Sequence, residues 1–376
     1  MAEKTLEEIK ADILHRAGRI NPFERVKLED VQQVVSRLSD FEPDPWGKQW
    51  GKLGLKYEAL AEEQEKQGRS KEAGETYYLA YEYFRIGRYP VPSSPEKMKC
   101  YKGALRTFLK AAPTMTHRVR YNPYLHTAQA FHMMVEALAF APRDLMPFDM
   151  KSLAVDDAPP AFLPTESEVV QAKDIVLEAA RIEPLPPLVL LNPNCSDMLP
   201  LRRWPTEKYI ELAQRLTAAY PELYVGVTGS PSEAKAAASM VERIGSKHCF
   251  SLAGRTTLRQ LLVIFGLADV LVTNDSGPAH FAALTPIDVV TLFGPETPQL
   301  YGARTPRNHV FWQALACSPC VSALNQKFSA CRNNLCMQHI DVDAVFNKVC
   351  KIYQTKRNTR TFANGENRVR HVQLDA

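Results

Sequence analysis

"LADVLVTNDSGPAHFAAL", residues 267–284, sets an acid, a serine, a glycine, a proline and a histidine between two apolar runs. The run up to Val272 reads as a buried strand. The run from Gly277 reads as a helix with proline in its first turn, where the missing N–H costs nothing. The polar cluster therefore falls at a strand's carboxyl end and a helix's amino end. In open α/β sheets that is where ligands bind. The unpaired N–H groups of such a helix start favour an anion, usually phosphate.

The same alternation extends outward from this stretch. From Leu188, "LVLLN", "LYVGVTG", "HCFSL", "DVLVTN" and "DVVTLFG" read as strands, and amphipathic segments between them read as helices. A last helix is expected near "DVDAVFNKVCKIY". Strands alternating with helices predict a parallel sheet wound on both faces, a Rossmann-like domain over residues 187–355. Residues 1–112 read instead as an all-α domain, with Ser70 and Ser94 as N-caps and Gly68 and Gly87 as stops. Residues 113–186 read as a helical and proline-rich connector, and residues 356–376 as a polar, basic, disordered tail.

Composition narrows the class. Of 376 residues, 45% are apolar and 23% charged, as in ordinary soluble globular chains. A formal charge of +4 gives no case for nucleic acid. No run of about 18 uncharged apolar residues occurs, so no membrane span is expected. The charged start lacks the apolar core of a secretory signal. Eight dispersed cysteines do not read as a secreted disulfide framework, and a cytoplasmic protein is the expectation.

Five blocks carry a resemblance. "LLNPNCSDMLPLRRWPTEKY", "VTGSPSEA", "LAGRTTLRQL", "LVTNDSGPAHFAAL" and "TLFGPETP" stand in the order and spacing of glycosyltransferase family 9, which includes the ADP-heptose:lipopolysaccharide heptosyltransferases. The resemblance covers about residues 120–353. It implies the C-terminal half of a two-domain GT-B-type fold, where that family binds a nucleotide-sugar donor. The implied acceptor is lipopolysaccharide or another glycan, with no required cofactor and a place at the inner membrane surface. Donor-binding roles carry over to Ser196, Arg202, Glu233, Asp275, Ser276, Gly277 and His280. Arg202 stands where lysine is usual, and either cation can neutralise a diphosphate. Glu233 suits ribose hydroxyls. Asp275 is repelled by phosphate and suits sugar hydroxyls. On spacing alone Asp275 reads equally as a helix cap and Glu233 as an acid favoured at a helix start.

Cys317, Cys320, Cys331 and Cys336 follow C-x2-C-x10-C-x4-C, a spacing that admits a structural zinc or a set of buried thiols. "ACSPCVSALNQKFSACRNNLCMQHI" also resembles a cysteine-bearing segment of part of the family.

The other half of the family pattern is missing. The resemblance implies a first domain with a glycine-rich loop and an aspartate general base, which an inverting transfer needs. No glycine-rich strand–loop–helix precedes residue 188, and Asp144 and Asp149 in the connector match nothing, so no catalytic residue is assigned. In its place, about residues 46–112 resemble the helical N-terminal segment of α/β-hydrolases of the pseudooxynicotine-hydrolase type. No G-x-S-x-G elbow occurs, so no hydrolase chemistry follows. Three readings result: a heptosyltransferase-type enzyme, a nucleotide-sugar-binding module without its catalytic half, and a helical partner-binding protein on a Rossmann-like scaffold.

Overall fold

The computed structural model describes residues 5–20, 22–89, 92–115, 117, 124–141, 159–195, 199–322 and 329–372, with side chains to residue 359. Contacts divide it into two compact units, mainly Met1–Asn122 and mainly Met150–Ser322 with Ser329–Ala376.

The first unit is helical: α1 (Leu6–Arg16), α2 (Leu28–Arg37), α3 (Pro43–Lys66), α4 (Ser70–Gly87) and α5 (Pro95–Ala111). Its core gathers Val31, Val34, Trp50, Leu53, Tyr57, Tyr83 and Ile86. Glycine sets the close approach of α3, α4 and α5. A Cβ added at Gly54 or Gly103 would lie 2.6 or 2.7 Å from the Phe84 ring, so both helices close on Phe84 only without side chains there. Ser94 caps α5 as expected, accepting from the Lys97 N–H at 3.3 Å. Ser70 does not cap α4; it is the first helical residue, and Arg69 before it makes no side-chain cap.

Helix α6 (Thr127–Glu136) follows. The second unit then opens with α7 (Glu166–Ala180). It alternates β1 (Leu188–Asn192), α8 (Thr206–Ala219), β2 (Tyr224–Val227), α9 (Ala234–Ile244), β3 (Cys249–Ser251), α10 (Leu258–Leu267), β4 (Val270–Asn274), α11 (Gly277–Ala282), β5 (Asp288–Phe293), α12 (Pro298–Tyr301) and β6 (Asn308–Trp312). It closes with α13 (Leu335–Gln338) and α14 (Val342–Val372). All strand pairings are parallel, in the order β3-β2-β1-β4-β5-β6.

The strands are apolar on both faces because helices cover both. Val189, Leu191, Val225, Val270, Val272 and Val290 face the helices α8, α9 and α14. Leu188, Leu190, Leu271 and Val289 face α7, α10 and α11. The chain winds from β1 outward through β2 and β3, then crosses back to β4 on β1's other side. That reversal leaves a crevice at the carboxyl ends of β1 and β4, the switch point where open α/β sheets take ligands.

Two expectations need correcting. The sheet has a sixth strand, "NHVFW", at its edge, where partial exposure lets polar residues enter. Residues 356–372 of the expected tail continue α14, which runs to Val372. Lys356 donates to the Asp269 carbonyl at 2.7 Å and pairs with Asp288 at 2.8 Å, anchoring that helix to the sheet's amino edge. Among the described residues, no helix is long and apolar enough to cross a membrane.

Candidate functional site

A cleft of about 400 Å³ opens at the switch point. The loop after β1 supplies Asn194 and Cys195, the turn after β2 supplies Ser230 and Glu233, and the start of α11 supplies Ser276 and Gly277. Thr257, Leu258 and Leu261 of α10 close the far wall. Leu258 is 52% exposed, an apolar side chain left bare beside polar ones.

One buried side chain holds this edge together. Asn274, the last residue of β4, is 0% exposed. Its Oδ1 accepts from the Trp204 N–H at 3.0 Å and the Tyr209 hydroxyl at 3.1 Å. Its Nδ2 donates to the carbonyls of Pro193 at 3.0 Å and Asn194 at 3.2 Å. A single amide thus ties the loop after β1 and the Trp204 segment to the end of β4. Trp204 is wholly buried, donates its indole N–H to the Ile340 carbonyl, and fixes the turn that carries Arg202.

Arg202 and Asp275 lie at the same edge. Arg202 Nη1 donates to the Asp275 carbonyl at 2.9 Å and stands 3.7 Å from its Oδ2. Both side chains are largely buried, and Arg202 Nε is buried without an acceptor. Asp275 does not cap α11. The cap residue is Ser276, which turns its hydroxyl back to the Asn274 carbonyl and leaves the helix start without a side-chain acceptor. Gly277 is not demanded by packing: a Cβ there would meet only the Phe281 ring, at 3.4 Å. Its smallness keeps the cleft wall low. Gly229 is more crowded: a Cβ there would lie 2.9 Å from Asn194 Nδ2 and 3.2 Å from the Cβ atoms of Ala253 and Glu233.

Glu233 lines the cleft and also accepts from the Ser230 N–H at 2.6 Å, so it caps its own turn while facing the site. His280 is exposed on α11 and does not line the cleft. It belongs to a group that sequence reading missed. Burial lowers the pKa of His126, and the nearby Arg304 and His280 lower it further against the Gly302 carbonyl it bonds at 2.9 Å. Surrounding protein atoms lower His280 as well. His126 and Arg304 carried no signal, since only the fold brings them beside His280. Asn274 had a weak one, a polar residue ending a buried run. Ser196 lies outside the described residues.

Of the two readings of the four cysteines, the zinc site is not supported. Among the described residues, no group of three or more His, Cys, Asp or Glu is arranged to hold a metal ion. The thiols have other neighbours: Cys320 accepts from the Ser329 hydroxyl at 3.3 Å, and Cys331 faces Asn333 Oδ1 at 3.6 Å. Cys336 is packed into the core on one face of the sheet, and burial together with the Cys320 thiol pushes it up to about 11.

The strand order and the crevice define a Rossmann-like domain. Residues 156–329 match the family model of glycosyltransferase family 9 (heptosyltransferase), and the chain carries a domain of that family there. Lipopolysaccharide heptosyltransferase 2 of Salmonella typhimurium strain LT2 is 33% identical over 115 residues, 30% of this chain and 32% of that protein. Lipooligosaccharide heptosyltransferase 2 of Haemophilus ducreyi is 31% identical over 153 residues, 38% of this chain and 42% of that protein. The chain therefore spans less than half the length of these curated relatives. The solved Escherichia coli ADP-heptose lipopolysaccharide heptosyltransferase II shares the fold at a TM-score of 0.50 and 18% identity, over 78% of this chain and 82% of that one. A shorter likeness, 28% over 103 residues and 21% of that protein, joins the chain to the alpha/beta hydrolase ucsC of an Acremonium species.

Proposed function

We propose that the sheet unit binds a nucleotide-sugar donor of the ADP-heptose type, for transfer to a lipopolysaccharide-like glycan. The observation that carries this is the switch-point cleft, with an open helix start at Gly277 and the Arg202–Asp275 pair beside it. In this reading the base lies on Leu258 and Leu261, and Glu233 takes the ribose hydroxyls. The diphosphate meets the N–H groups at Ser276 and Gly277, the Ser196 hydroxyl and Arg202. Asp275 takes sugar hydroxyls. Beside this site Arg304 carries charge, while His280 and His126, both held below their ordinary pKa, are uncharged at neutral pH. Arginine and backbone N–H groups supply the charge a diphosphate needs, so the proposal requires no cofactor. A lipid-borne acceptor places the protein in the cytoplasm, peripheral to the inner membrane surface.

Titration calorimetry with ADP and ADP-heptose tests the reading. Both should bind, and Gly277→Val, which puts a branched side chain on the low wall, should abolish binding without loss of fold. Absence of any nucleoside diphosphate binding by the full chain would overturn it.

One observation favours a second reading, donor binding without transfer by this chain alone. Every strand among the described residues lies between Leu188 and Trp312, and the first unit is helical. Among the described residues of the first unit no strand matches the sheet of the GT-B half expected to hold the acceptor and its base. In this reading a protein partner carries that half.

A further inference from the structure

We propose that the sheet unit holds a second binding site, for an apolar chain ending in an anionic group, at the edge of the sheet opposite the donor cleft. A cavity of about 670 Å³ lies there. Its walls come from Phe162 and Leu163 ahead of α7, Leu262 and Gly266 of α10, Pro286 ahead of β5 and Arg307 ahead of β6. The last two lead into strands, which places the cavity at the amino edge. It shares no lining residue with the donor cleft. Its volume falls in the range of about 300–1,000 Å³ that small-molecule sites occupy.

Two independent features point to a ligand. The first is Gly266, next to last in α10. Glycine inside a helix weakens it, because it gives up more backbone freedom than any other residue. A tight neighbour usually explains such a glycine, as Phe84 does for Gly54. Here a Cβ would meet nothing within 4 Å. The missing side chain serves no contact and only widens the cavity.

The second is Arg307. Its Nη2 donates to the Thr285 carbonyl at 3.0 Å, while its Nε is buried without an acceptor. Among the described residues no carboxylate pairs with it. Buried donors without acceptors are rare in folded proteins. A guanidinium on a wall whose other polar residues are Thr285 and Thr305 selects a carboxylate or phosphate oxygen. Leucines, prolines and a phenylalanine select the hydrocarbon behind it. A fatty acid and the phosphate-bearing end of a membrane phospholipid share this chemistry.

The full chain can be titrated with cis-parinaric acid, whose fluorescence rises on burial, and the probe then displaced with palmitate or with hexadecanol. Saturable uptake is expected, with palmitate at least about tenfold better than the neutral alcohol. Arg307→Gln should erase that preference. Gly266→Leu should fill the cavity and weaken uptake about tenfold or more, with ADP binding unchanged. If Gly266→Leu does not fold, as circular dichroism will show, Gly266→Ala and Arg307→Gln carry the comparison. A further arm distinguishes the sources. Sedimentation with phosphatidylglycerol vesicles that Arg307→Gln abolishes assigns the site to membrane lipid, and displacement by monomeric palmitate alone assigns it to free acid. No saturable uptake by the wild-type chain, or uptake that neither residue affects, overturns the proposal. Loss of ADP binding would leave it standing, since the two sites are separate.

Discussion

Arg202 and Asp275 stand 3.7 Å apart at the proposed donor site. If Asp275 serves sugar hydroxyls, Asp275→Ala should weaken ADP-heptose about tenfold more than ADP, read as two calorimetric Kd values. Equal losses would mean that Asp275 acts only through Arg202. Asn274 makes a different prediction. Asn274→Ala removes the acceptor of the Trp204 N–H and the donor to the Pro193 and Asn194 carbonyls, and leaves the Tyr209 hydroxyl with the Asn192 carbonyl at 3.4 Å. Unfolding in urea should show a loss of about 2–4 kcal/mol. A change under about 0.5 kcal/mol, the size of an ordinary surface substitution, would mean that water replaces the amide. The sequence led to Glu233, Ser276 and Gly277 because each follows a strand, and following a strand fixes the edge of a parallel sheet. Asn274 stayed hidden in a quoted motif because its partners lie 65 to 81 residues away in the chain. Chain separation of that size erases any local pattern.

Helices α2, α3 and α4 meet at one carboxylate. Asp30 of α2 accepts from the Tyr57 hydroxyl of α3 at 2.5 Å, the Tyr83 hydroxyl of α4 at 2.6 Å and Lys56 of α3 at 3.2 Å. Burial alone would raise its pKa, but these three bonds outweigh burial and hold it below the usual value. A carboxyl group depressed in the folded state stabilises above its unfolded pKa, about 3.9, and that stabilisation fades as pH falls through the folded value. Asp30→Asn should therefore cost about 1.5–3 kcal/mol near neutral pH. The gap between variant and wild type should narrow below about pH 4 in chemical denaturation monitored by circular dichroism. A gap independent of pH would show that shape, not charge, makes the knot. The helices themselves were legible because apolar residues recur along them at helical spacing. Strand β6 was not, since "NHVFW" on a half-exposed edge shows no long apolar run. The extension of α14 was also hidden. Lys356 looks like any exposed lysine until Asp269 and Asp288 are placed beside it.

Across the whole molecule, binding and transfer should come apart. The donor side is nearly complete: six parallel strands, the reversal between β1 and β4, and a cleft at its carboxyl edge. A nucleoside diphosphate should bind there, its phosphates at the start of α11. The acceptor side is another matter, because the first unit is five helices with a core of its own and no strand among its described residues. Among the described residues of that unit no glycine-rich loop follows a strand. General-base help contributes about 10²–10⁴-fold to such reactions, and lost positioning of the acceptor removes more. Transfer from ADP-heptose to a lipopolysaccharide acceptor by the purified chain should thus be at least about 10²-fold slower than by a complete heptosyltransferase, while ADP affinity stays comparable. The decisive measurement pairs a turnover assay with a donor titration on the same preparation. Slow turnover with firm donor binding supports a donor module that depends on another protein for its base. Fast turnover by the chain alone would place an unrecognised base in the helical unit. Replacing the carboxylates of α1 to α5 one at a time, Asp30 excepted because it supports the fold, would then find it by the loss of the acidic limb of the pH profile.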